Sequence, residues 1–77
     1  MNPILYDMLY SEAVSEKKKA LLTLHLLGDK AAGIGDHSTK DFYNNATEAL
    51  EMLGNAKDKI ETLKSEFGGI HETLIKG

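Results

Sequence analysis

The chain has 77 residues, with 9 Lys, no Arg, 12 acidic residues and 3 His, for a formal net charge of -3 and a pI near 5.5. That length holds one small domain, and a chain this short buries only roughly 60% of the surface its unfolded form exposes, so oligomerisation or a partner is expected. The absence of cysteine excludes a disulfide framework, a thiolate metal site and a thiol nucleophile, and an acidic balance without arginine argues against nucleic-acid binding, which needs a basic face.

The segment from Met1 to Leu9 has no basic region of the kind that opens a signal peptide. The longest nearly apolar run, Ala20 to Leu27, is interrupted by Thr23 and His25. Neither a signal peptide nor a membrane span is expected, and the expected location is cytoplasmic. Asn2 suits a helix N-cap and Pro3 the first helical position, where a missing N–H costs nothing. Ile4, Leu5, Met8 and Leu9 recur with helical spacing, and Ser11 or Ser15 offers a second start. The favoured reading is a near-continuous helix over 3–27. Lys17, Lys18 and Lys19 point in three directions and read as a solvated turn with some stem packing. Ala20, Leu21, Leu22, Leu24, Leu26 and Leu27 go most of the way round a helical wheel, and a helix apolar on several faces must be covered on several faces.

Residues 28–37 read as a loop. Gly33 and Gly35 feed Ser38 and Thr39 at the start of the next helix, an arrangement physically able to hold an anion on free backbone amides. It lacks the Gly-Lys-Ser/Thr ending of a phosphate-binding loop and has no preceding strand, so a turn with a Ser38 cap is the favoured reading. The pairs His25 with Asp29 and His37 with Asp41 are each four apart. No His-Glu-x-x-His signature accompanies them, and no metal site or cofactor is predicted.

The second arm carries the clearest pattern. Phe42, Ala46, Ala49, Leu53, Ala56, Ile60, Leu63 and Phe67 are separated by 4, 3, 4, 3, 4, 3 and 4 residues, a heptad seam that predicts a helix over 38–67 with one packing stripe. Ser38 to Asp41 approximates a capping box, and Gly68-Gly69 followed by Ile70 fits a left-handed stop, leaving 68–77 as a tail. The alanines of the seam permit close approach of another helix, for which an antiparallel hairpin is the simplest geometry. Gly54, beside the seam, marks a close crossing or is merely tolerated. The pair Glu48 and Glu51 resembles the acidic half of magnesium-binding, all-helical nucleotide pyrophosphohydrolases, but such sites need further carboxylates on a facing helix, where only Glu12 and Glu16 are on offer. Tyr6, Tyr10 and Tyr43 are either binding anchors or, as favoured, core-edge packing.

A single hairpin leaves one side of the seam and the leucines of the first arm open. The expected fold is therefore all-α, an antiparallel helical hairpin assembling into a homodimeric four-helix bundle. Self-association is expected through the heptad seam together with Leu21 and Leu24. The functional expectation is a non-catalytic interaction or regulatory protein with a further protein partner. The alternative is a minimal ligand- or metal-binding protein or enzyme using the Gly33 to Thr39 loop or the Glu48 and Glu51 pair.

The stretches from Lys17 to His25, Gly33 to Ser38, Asp41 to Tyr43 and Ala46 to Leu53 together resemble small proteins of T4-like tailed phages, including those infecting marine cyanobacteria. The resemblance implies a product made inside an infected bacterium and assigns no functional residues.

Overall fold

The computed structural model describes residues 1–30 and 39–76, with side chains described for 1–29 and 40–69. Two helices account for them: α1, Pro3–Lys30, of 28 residues, and α2, Thr39–Lys76, of 38 residues. They pack against each other as an antiparallel hairpin. Its direction is set by pairs in which one residue number rises as the other falls: Tyr6 lies beside Gly68, Tyr10 beneath Lys64 and Glu16 against Lys59. At a rise of 1.5 Å per residue α2 alone spans about 57 Å, and the molecule measures 56 × 16 × 15 Å. The long helix fixes its length and two helix widths its breadth.

The start of α1 follows from its first residues. Asn2 Oδ1 accepts from the backbone N–H of Ile4 at 2.7 Å and of Leu5 at 3.2 Å, satisfying two donors that have no partner inside the helix. Pro3 takes the first helical position, where no donor is lost. The helix then runs unbroken through Ser11, Ser15 and the three lysines. Thr23, poorly suited to a helix interior, returns its hydroxyl to the Lys19 carbonyl at 2.9 Å.

The core between the helices is built on alanine. On α2 the seam is as predicted: Ala49, Ala56 and Leu63 are buried and Phe42, Ala46, Leu53, Ile60 and Phe67 are half-buried. On α1 a matching seam faces it, with Tyr6, Ala13 and Ala20 buried and Tyr10, Lys17, Leu24 and Leu27 half-buried. These seven positions are also spaced 4, 3, 4, 3, 4 and 3. Ala20 and Ala56 are 0% exposed. Small residues every seventh position let the backbones approach closely, while the larger residues between them close the edges.

Two boundaries differ from the sequence expectation. The first helix extends past Leu27 through Gly28 to Lys30, so the start of the expected 28–37 loop is helical. The remainder of that loop lies outside the described residues. Gly68-Gly69 does not stop the second helix, whose backbone continues to Lys76 in place of a tail over 68–77. No described glycine has a positive φ, so the left-handed conformation a C-terminal stop requires is not adopted. The helix instead continues along α1: Gly68 is buried, and a Cβ there would lie in ordinary van der Waals contact, 3.8 Å from the Tyr6 hydroxyl oxygen of the neighbouring helix. Gly54, by contrast, is exposed with nothing within 4 Å of a Cβ. Of its two sequence readings, toleration is the one that holds.

Candidate interaction surface

At the end of the hairpin remote from the 31–38 connection, the rings of Tyr6 and Tyr10 stack at 5.8 Å with an interplanar angle of 16°. Lys64 Nζ stands 5.9 Å from the Tyr10 ring centroid, within range of a cation–π attraction. These two tyrosines belong to the packing between helices. Tyr43 is different: it is exposed, although its ring meets Phe42 edge-on at 5.6 Å.

The two flanks of the hairpin differ in charge. On one, Glu16, Glu48, Glu51, Asp58 and Lys59 line an open groove together with Met52 and Asn55. Lys59 Nζ donates to both carboxylate oxygens of Glu16, at 3.2 and 3.4 Å, a partly exposed ion pair worth roughly 0.2–1 kcal/mol. The facing helix thus brings Glu16 towards the Glu48 and Glu51 pair, but Lys59 neutralises it. Among the described residues no three His, Asp or Glu side chains are grouped so as to hold a metal ion. On the other flank Lys17, Lys57 and Lys64 line a groove with Ile60, Glu61 and Ser65. His25 is exposed on α1. Gly33, Gly35 and Ser38 of the candidate anion loop lie outside the described residues, as does the side chain of Thr39, whose backbone begins α2.

The residues expected to form a self-association seam are brought together here within one chain. Phe42, Ala46, Ala49, Leu53, Ala56, Ile60, Leu63 and Phe67 turn towards α1, and Leu24 turns towards α2, whereas Leu21 sits at an exposed edge. The apolar surface left over is mostly on α1. Ile4 is 71% exposed, Met8 64%, Leu22 60% and Leu26 49%. Each lies two residues from a seam position, which on an α-helix is roughly 200° round the axis. They form a second stripe on the face of α1 turned away from α2, and Ser11 and Ser15 lie between its two apolar ends.

That outer stripe is the feature the sequence reading missed. The excess of leucines was visible, but not its division into a face that packs within the chain and a face that does not. The available signal was the pair of interleaved heptad patterns in one helix, one through Tyr6, Ala13 and Ala20 and the other through Ile4, Met8, Leu22 and Leu26. No described helix is long and apolar enough to cross a membrane, so the stripe is not explained by a bilayer span. Compared with known proteins, the chain matches no protein-family model, no curated protein and no solved structure.

Proposed function

We propose that the chain is a small helical protein-protein interaction or regulatory protein, acting without catalysis, whose hairpins pair through the outer face of α1 into a homodimer with its four helices in a row rather than bundled around one core. The observation that carries this reading is the outer stripe of α1, where Ile4, Met8, Leu22 and Leu26 are 49–71% exposed on the face turned away from α2. An apolar stripe along a helix with no partner inside the chain is the pattern of a surface made to be covered. A second hairpin laid on this face covers it.

Once paired, the hairpins present α2 and the two charged flanks outward, and these are the surfaces for a further protein partner. The resemblance to small phage proteins belongs to the same proposal, placing the protein in the cytoplasm of an infected bacterium.

Light scattering across a wide concentration range, with circular dichroism on the same samples, tests the dimer. The expected result is a helical species of twice the chain mass that becomes a monomer when Leu22→Lys and Leu26→Lys are combined. A helical monomer of the unmodified chain at all concentrations overturns the proposal.

A further inference from the structure

We infer that the occupant of the outer α1 face is a second copy of the same helix running antiparallel, with a two-fold axis passing through Ser15. This rests on the self-association proposed above and adds the geometry. The apolar positions of the stripe are spaced alike from either end. Ile4 and Leu26 lie eleven residues either side of Ser15, Met8 and Leu22 seven, and Ser11 and Lys19 four. A two-fold contact is made by one patch on itself, so that residue i meets j and j meets i. Rotation about Ser15 therefore sets Ile4 on Leu26 of the second copy and Met8 on its Leu22, at both ends of the contact at once. The large, exposed side chains pair with each other, Ser11 meets Lys19, and the small Ser15 falls at the crossing, where backbones come closest.

Charge selects the same direction. Lys17, Lys18 and Lys19 are consecutive on α1, with Lys18 and Lys19 exposed. In a parallel, in-register pair the two lysine runs lie side by side, and like-charge juxtaposition is unfavourable. In the antiparallel pair each run faces the stretch around Ser11 and Glu12 of the other copy. Glu12 and Lys19 then share one flank of the contact at nearly the same height, forming two symmetric opposite-charge pairs.

The absence of cysteine in the chain makes single-cysteine variants a direct test. Helix axes 8–10 Å apart, with Cα atoms at a radius of about 2.3 Å, leave about 3.4–5.4 Å between the two Cα atoms at the axis, the upper part of which is within disulfide reach. Position 4 of one copy lies about 33 Å from position 4 of the other, which is far beyond it. Ser15→Cys and Ile4→Cys, both at exposed positions, are incubated separately with oxidised glutathione, then run on non-reducing gels, with light scattering on the unmodified chain. The expected outcome is cross-linking of Ser15→Cys at least about tenfold above that of Ile4→Cys and unchanged on dilution, with Ile4→Cys/Leu26→Cys cross-linking as well. Cross-linking of Ile4→Cys to itself overturns the antiparallel axis, as does a dimer in which neither single variant cross-links; in both cases self-association stands. A monomeric unmodified chain overturns the inference and the proposed dimer together.

Discussion

The two helices of this hairpin teach opposite lessons about apolar pattern. In α2 one stripe from Phe42 to Phe67 faces α1 and the rest of the surface is charged or polar, with Tyr43, Leu50 and Met52 as exposed exceptions. In α1 the seam through Tyr6, Ala13 and Ala20 has a rival on the far side, through Ile4, Met8, Leu22 and Leu26. A helix with a single stripe has its partner inside the chain. A helix with two has one partner inside the chain and another to find.

The contrast between seam and outer face breaks first under truncation. Leu63, buried among its neighbours, is expected to cost about 2–5 kcal/mol when changed to alanine. Leu22→Ala, on the outer face, is expected to cost the isolated hairpin no more than about 0.5 kcal/mol. Urea denaturation of both variants at concentrations below dimerisation makes the comparison, and equal losses would mean that the outer face is packed within the chain after all. Overpacking sharpens the same point. Ala56→Leu forces extra methylenes between backbones held close by alanine and is expected to cost about 1–3 kcal/mol, read as a lowered urea midpoint with an unchanged slope.

The glycines of α2 provide a gain to set against these losses. Gly54→Ala is expected to stabilise by about 1 kcal/mol, since the position is an exposed helix interior with space for a methyl group. Gly68→Ala is expected to gain a similar amount, since the new Cβ meets Lys64 Cβ at 3.7 Å and the Tyr6 hydroxyl oxygen at 3.8 Å, ordinary van der Waals distances. The smallest effect belongs to the flank. Lys59→Ala is expected to cost no more than about 1 kcal/mol, and less as salt is added, because the pair with Glu16 is partly open to water.

How much of this was legible followed the same division. The α2 seam was readable residue by residue, because its period is uninterrupted and its flanks are charged. The α1 seam was hidden by Lys17, a charged residue at a seam position whose long apolar stem allows it to be half-buried, and by leucines that belong to the other face. The N-cap at Asn2 was legible because its chemistry is local. Gly68-Gly69 was misread for the complementary reason: the helix continues there with Gly68 buried beside Tyr6, a residue 62 positions earlier in the sequence, and local rules for helix ends contain no such neighbour. Glu48 and Glu51 were visible as a pair, but the lysine that neutralises the carboxylate opposite them comes into play only when the hairpin closes.

The alanine repeat has a weakness of its own, since a ruler with identical marks does not say where zero is. Sliding one helix along the other by seven residues sets alanine against alanine again, and exchanges Lys64 over Tyr10 for Lys57, another lysine. Two contacts do not survive the slip: Tyr6 meets Glu61 in place of Gly68, and Glu16 meets Met52 in place of Lys59. Choice of alignment therefore falls on one tyrosine at a helix end and one exposed ion pair, while the strength of the hairpin comes from the residues that repeat.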